Sequence, residues 1–337
     1  MKILIDAMGG DFAPAEILKG TALAVNELEF TPLLVGESSL LERSAKENGI
    51  DISGWKIVPA SDAIGMNDPP LSIRSRPDCS MRIGLELLKK GAGDAFVSAG
   101  STGALQMGAN LFVKKIPGIS RSAIGTLLPM SKPVLLLDSG ANTSFTPALL
   151  CHYALMGSVY MEKVQGISRP RVGLLNIGTE EHKGTEGHES AYRLLSSMKN
   201  IHFVGNIEPT ALPQSPCDVL VADGFSGNIL LKTLEGMCRY IFKSIQGALA
   251  SSSLPDEGKY ASGRILKQVS GRFDASEHGG APLIGISAPV IKAHGNSDAR
   301  AIKNAIRQAL RYAESNAIAE IEEGIKGADL PKEHTPG

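Results

Sequence analysis

One loop chemistry occurs four times in this chain: a short apolar run, then small polar residues and glycine, then a helical pattern. The copies are Asp94–Ala104 (DAFVSAGSTGA), Val134–Asn142 (VLLLDSGAN), Val172–Glu180 (VGLLNIGTE) and Asp218–Asn228 (DVLVADGFSGN). A parallel strand buried on both faces reads as a continuous apolar run, and its crossover helix follows a tight loop. The expected fold class is therefore α/β: a three-layer α/β/α, Rossmann-like arrangement around a mostly parallel sheet. Glycine in such loops lets backbone N–H groups approach a ligand, and a helix N-terminus favours an anion. Four such loops at the carboxyl ends of strands would build one cleft for a phosphate-bearing ligand.

The first and last copies also match each other. Asp94, Val97, Gly100, Thr102, Gly103 and Leu105 correspond in order, at one constant offset, to Asp218, Val221, Gly224, Ser226, Gly227 and Ile229. Two readings account for this: an internal repeat whose segments face one site, or the common grammar of any strand–loop–helix unit.

At 337 residues the chain exceeds the ~150 of one compact domain. A single α/β catalytic domain over 1–337, or two lobes of it, both fit. The formal net charge of −1 excludes a global basic field, so no nucleic-acid partner is expected. Cys79, Cys151, Cys217 and Cys238 form no CxxC pair and read as reduced thiols used as small apolar residues. The chain opens on a strand-like Lys2–Ile5, so no leader is expected. No apolar run approaches the ~20 residues of a spanning helix. These features suggest a cytoplasmic protein that at most sits on a membrane surface.

Periodicity assigns further strands to Pro32–Val35, Trp55–Pro59, His202–Val204, Leu283–Ile286 and Val290–Lys292. Thr126–Leu128 and Val134–Leu137 read as an antiparallel pair. Helices are expected over Ser38–Glu47, Ser80–Lys90, Thr146–Val164 and Glu189–Met198. Asp11 is the expected cap of the first helix, with Pro14 in its first turn. Ser61–Cys79, with its prolines and the pair Arg74 and Arg76, reads as an irregular loop.

In Asn228–Ala250, Leu230, Leu234, Met237, Ile241, Ile245 and Leu249 form one helical stripe. A break at Ser251–Gly258 and a second helical pattern at Lys259–Phe273 complete an inserted helical hairpin over 228–275. Asn296 or Ser297 is the expected cap of a long C-terminal helix reaching Glu322, and Lys332–Gly337 should be loose.

Several signatures are absent. There is no GxxxxGK[ST] P-loop, no GxGxxG and no GxSxG nucleophile elbow. Glu180, Glu181, His182, His188 and Glu189 are dense in potential metal ligands but lack a recognised spacing, and a solvated charged loop explains them equally. No metal or cofactor is expected. What remains is a phosphate-handling site without an evident covalent nucleophile. Phosphate is itself a nucleophile, and a thiol of pKa about 8.5 leaves readily as thiolate. Attack of phosphate on a thioester then needs positioning, phosphate-binding donors and donors to the developing oxyanion.

At the level of motifs, the chain resembles the bacterial phosphate acyltransferases that use acyl-acyl carrier protein. The matching words are DAMGGDFAP (6–14), SAGSTGAL (98–105), LLDSGAN (136–142), NIGTEEHKGTE (176–186), ADGFSGN (222–228), GGAPLIG (279–285) and AHGNSDARAI (293–302). They run in order over most of the chain. The resemblance implies acyl transfer from acyl carrier protein to orthophosphate, giving an acyl phosphate that feeds glycerol-3-phosphate acylation in phospholipid synthesis. It also implies a fold similar to phosphotransacetylases and isocitrate/isopropylmalate dehydrogenases, a homodimer, and peripheral membrane association. A phosphotransacetylase acting on short acyl-coenzyme A is the alternative.

On these motifs, Lys183 and Asn228 are the catalytic candidates: a point charge and an amide for phosphate or the thioester oxygen. Gly9, Gly10, Thr102, Gly103, Asn142, Ser226, Gly227 and His294 are the candidate phosphate or substrate contacts. Each has a structural alternative: a loop lysine, helix caps, packing glycines, a core histidine. Arg74 and Arg76 are candidate contacts for an acidic carrier protein. The hairpin stripe suits core or dimer packing, and the tip around Leu254 is the better candidate for touching lipid.

Overall fold

Residues 1–273 and 279–327 are described by a computed structural model. The strands are β1 (Lys2–Asp6), β2 (Thr31–Gly36), β3 (Lys56–Pro59), β4 (Ala95–Ser98), β5 (Ala123–Leu128), β6 (Val134–Leu137), β7 (Arg171–Leu175), β8 (His202–Ile207), β9 (Val219–Val221), β10 (Ala281–Ile284) and β11 (Val290–Lys292). They form one sheet in the order β3-β2-β1-β4-β11-β10-β5-β6-β9-β7-β8. β3, β2, β1, β4 and β11 are mutually parallel. β6, β9, β7 and β8 are also mutually parallel. β10 and β5 join the two blocks through three antiparallel pairings, so the blocks run in opposite directions. The expected antiparallel pair is β5–β6; the opposition of the blocks is not visible in periodicity.

The helices are α1 (Ala15–Glu27), α2 (Ser38–Glu47), α3 (Ser72–Ser75), α4 (Ser80–Lys89), α5 (Thr102–Gly108), α6 (Pro147–Lys163), α7 (Glu186–Ser197), α8 (Gly224–Ser251), α9 (Asp256–Arg272), α10 (Ala299–Glu314) and α11 (Ala317–Gly327). A π-helical turn, Ala109–Val113, continues α5.

Alternation along the strands fixes the layers. In β4, Ala95 and Val97 face one core with α1, α6 and α10, while Phe96 faces another with α4 and α5. In β9, Val219 and Val221 join that first core, while Leu220 faces a third with Leu230 of α8. One core thus spans both blocks on one side of the sheet. The other side carries two separate cores, one under α5 and one under α8. α6 lies in the spanning core and is buried at nearly every position from Ala148 to Met161, as a helix apolar all round must be.

Local signals place the helix starts. Thr146 accepts from Leu149 N–H at 3.2 Å to cap α6, with Pro147 following. The α10 cap is Asp298, accepting from Ala301 N–H at 2.8 Å, rather than Asn296 or Ser297. The C-terminal helix is divided at Ser315–Asn316, where Asn316 adopts a φ of 55°. Pro14 sits at the start of α1 without a side-chain cap, and Asp11 instead turns its N–H to the Gly295 carbonyl at 2.8 Å. The proline-rich 61–79 loop holds the short α3, and Arg76 braces it by pairing with Asp62 and Asp68.

The hairpin is present as α8 and α9, with α8 starting at Gly224. Expected hairpin residues 274–275 and the tail 332–337 lie outside the described residues. Among the described residues no helix is long and apolar enough to cross a membrane.

Candidate active site

The carboxyl edge of the first block is built by register. Ile5 pairs with Val97, and Ser98 with Lys292, so Asp6, Ser98 and Lys292 end β1, β4 and β11 side by side. Asp6 is buried and accepts from Ser80 Oγ and Ser98 Oγ, each at 2.6 Å. Burial lifts its carboxyl above the usual range, opposed by those hydroxyls and by the N–H groups of Met8 and Gly9. Lys292 is 7% exposed and donates to the carbonyls of Ala99, at 3.4 Å, and Ala293. Burial depresses its ammonium to about 8 against the pull of Asp6 and Asp11.

The β1–α1 loop lies on this row. A methyl at Gly9 would meet Asp6 Oδ2 and the Gly100 N–H, and Gly10, with a φ of +106°, backs onto Ala99 and the Gly295 carbonyl. Thr102 is exposed at the start of α5, and Gly103 is packed beneath Pro70. His294 is exposed, yet protein atoms crowd its ring. That crowding, then the charge of Lys292, holds it below the usual imidazole range.

The second block presents the loops after β6, β7 and β9. Asp138, fully buried, accepts from Gly140 N, Ala141 N and Asn142 N at 2.8–2.9 Å. Burial raises its carboxyl, and these bonds oppose the rise. The Asn142 amide braces the same loop, donating to Ser122 O at 2.8 Å and Asp138 Oδ2 at 2.9 Å.

Asp223 caps α8, accepting at 3.0 Å from Phe225 N and Ser226 N. Gly224 N–H goes to Asn142 O and Gly227 N–H to Asp223 O. The backbone donors of this turn are therefore committed internally, and its remaining donors are the Ser226 hydroxyl and the Asn228 amide. Gly227 lies so close to the Asp138 carbonyl that a methyl would collide with it. Asn228 is exposed and anchored by one hydrogen bond, Nδ2 to Ser139 O at 3.0 Å, leaving a second N–H.

The Lys183 loop is clamped from below: Asn176 Nδ2 donates to Lys183 O at 2.9 Å and Asn206 Nδ2 to Glu180 O at 2.7 Å. The Lys183 stem lies over Gly178, and its ammonium, 4.0 Å from Glu180, is part-exposed. His188 packs at a tilt against Phe145, ring centres 4.8 Å apart, and stands 4.0 Å from Asp223, which ties this loop to the root of α8. Burial lowers the His188 imidazole, with Asp223 opposing. Among the described residues no group of three His, Cys, Asp or Glu side chains could hold a metal.

The candidates therefore fall in two groups. Gly9, Gly10, Thr102, Gly103 and His294 belong to the first block, and Asn142, Lys183, Ser226, Gly227 and Asn228 to the second. Two features join the groups: Gln106 Nε2 of α5 reaches Ala141 O at 3.4 Å, and Lys232 and Glu235, on α8 beyond Asn228, are near enough to bias His294. Sequence reasoning missed Lys292. It reads as the polar end of a short strand, and its position directly before AHGNSD is the only signal.

Solved structures share this architecture. A phosphotransacetylase from Streptococcus pyogenes aligns with a TM-score of 0.65 at 19% identity, over 93% of this chain and 94% of that one. A branched-chain phosphotransacylase from Enterococcus faecalis aligns at 0.56 and 15%, over 94% and 100%. A 4-hydroxythreonine-4-phosphate dehydrogenase from Klebsiella pneumoniae aligns at 0.55 and 14%, over 93% and 99%. Fold and loop chemistry thus define an α/β protein of phosphotransacetylase-like architecture. A family model described as "Fatty acid synthesis protein" matches residues 1–320. A phosphate acyltransferase from Caldicellulosiruptor bescii is 43% identical over 96% of this chain and 98% of its own. One from Fusobacterium nucleatum is 42% identical over 95% and 98%. The chain belongs to the phosphate acyltransferase family, transferases of acyl groups.

Proposed function

We propose that this protein transfers an acyl group from acyl carrier protein to orthophosphate, releasing acyl phosphate and free carrier protein. The product feeds glycerol-3-phosphate acylation in phospholipid synthesis. The observation that carries the reading is family membership over nearly the whole chain. A phosphate oxygen attacks the thioester carbonyl, the carbon–sulfur bond breaks, and the sulfur leaves as thiolate to take up a proton. Asn228, with an N–H left over from Ser139, donates to the developing oxyanion, and Lys183 supplies charge beside it. Gly9, Gly10, Thr102, Gly103, Asn142, Ser226, Gly227 and His294 shape the phosphate and acyl subsites. This chemistry calls on no cofactor.

The whole chain acts as one catalytic domain in the cytoplasm. Its α8–α9 hairpin is the dimer contact, and the tip near Leu254, 45% exposed, touches the membrane peripherally. The test is mass spectrometry of products formed from acyl-acyl carrier protein and isotope-labelled orthophosphate. An acyl phosphate carrying the label is expected. An obligatory acylated side chain, or no acyl phosphate, overturns the reading. The likeness to phosphotransacetylases favours one alternative, a short acyl-coenzyme A donor. Turnover of acetyl-coenzyme A with none of long-chain acyl carrier protein would select it.

A further inference from the structure

Among the described residues, Lys292 is the only lysine or arginine that is buried. A desolvated ammonium is unfavourable unless an opposite charge meets it. Its two hydrogen-bond acceptors, the Ala99 and Ala293 carbonyls, are neutral. They aim the group without neutralising it, and leave one of its three N–H bonds over. Asp6 and Asp11 act on it only from beyond ion-pair distance, and both Asp6 oxygens already accept serine hydroxyls. The cation stands at the carboxyl edge of β11, two residues before His294, on the side of the first block that α8 approaches through Lys232 and Glu235. Lys232 itself is paired with Glu235 at 2.8 Å.

We propose that Lys292 is a phosphate-binding residue: its ammonium holds one oxygen of orthophosphate at the carboxyl edge of β11. The identity of the anion rests on the transfer reading above. The bound dianion completes the pairing that the fold withholds. The Ala99 and Ala293 carbonyls fix the direction of the remaining N–H, so the nucleophile arrives oriented.

The experiment compares wild type with Lys292→Met, which keeps length and apolar bulk but removes the charge. Inorganic phosphate should raise the wild-type Tm and leave that of Lys292→Met unchanged. Without phosphate, the variant should melt at the wild-type temperature or higher. The phosphate KM should rise at least ~tenfold, equivalent to about 1.4 kcal/mol of lost binding, with the acyl-donor KM unchanged. Retention of the phosphate-dependent Tm rise, or a wild-type phosphate KM, overturns the proposal.

If Lys292→Met fails to fold, phosphate affinity of the wild type between pH 8 and 10 decides the matter. The titratable groups around Lys292 are Asp6 on β1, Asp11 in the following loop and His294 beyond β11, with Lys232 of α8 beside His294 and paired with Glu235 at 2.8 Å. A steep fall in affinity is expected, and a flat profile overturns the assignment. Phosphate binding through Lys292 without acyl phosphate from any thioester would sink the transferase reading alone. Acyl phosphate formation by Lys292→Met at the wild-type phosphate KM would sink this assignment alone.

Discussion

Lys183 and Lys292 carry the same charge in opposite surroundings, and their substitutions should separate chemistry from stability. Lys183 is part-exposed on a loop held by Asn176 and Asn206, so its side chain carries little of the fold. Lys183→Ala should lower phosphate-dependent thioester cleavage at least ~tenfold at unchanged Tm, checked by steady-state kinetics and calorimetry on one preparation. Lys292 is depressed from 10.5 to about 8, so between those values the unfolded chain binds the extra proton. Its burial is therefore a full liability below pH 8 that disappears towards pH 10.5. Denaturant titrations should show wild type gaining on the order of 3 kcal/mol relative to Lys292→Met across that window. The part-exposed loop position of Lys183 was legible in the sequence because its motif is polar. Lys292 was not, since only tertiary packing distinguishes a buried strand-end lysine from a surface one.

The two repeat-like elements share a plan but differ at the capping position. β4 leads into α5 and β9 into α8, as the matched words imply. Ala99, however, stands where Asp223 stands in the later copy, and only Asp223 caps its helix. That capping absorbs the donors expected to form an open anion nest, a consequence of side-chain geometry that the spacing of glycines does not reveal. Gly227→Ala should drive a methyl into the Asp138 carbonyl and destabilise the protein by about 2–4 kcal/mol, read as a lower denaturant midpoint at unchanged slope. The hairpin makes a contrasting prediction. Leu254 is exposed at the α8–α9 turn, so Leu254→Asp should leave Tm and turnover of soluble donor intact while weakening vesicle co-sedimentation.

Across the whole molecule, the apolar runs revealed the strands, and the loop words marked which strand ends carry the candidate residues. Strand direction remained hidden, because a buried run reads the same in either sense. The four loops consequently divide between two opposed blocks instead of lining one edge, and a hydrogen bond from α5 to Ala141 links the groups. The hairpin leaves Tyr240 at 68%, Tyr260 at 71% and Ile265 at 64% exposure, an apolar surface suited to the proposed self-association. Tyr240→Glu combined with Ile265→Glu should convert a dimer to a monomer in sedimentation velocity, and a wild-type monomer would refute the dimer. The uneven distribution of the cores sets how the halves can rock. Like a book, the molecule is bound along the face where one core runs from cover to cover and divided along the face that carries separate cores under α5 and under α8. Its spine resists shear, so any breathing of the two halves is spent at the fore-edge.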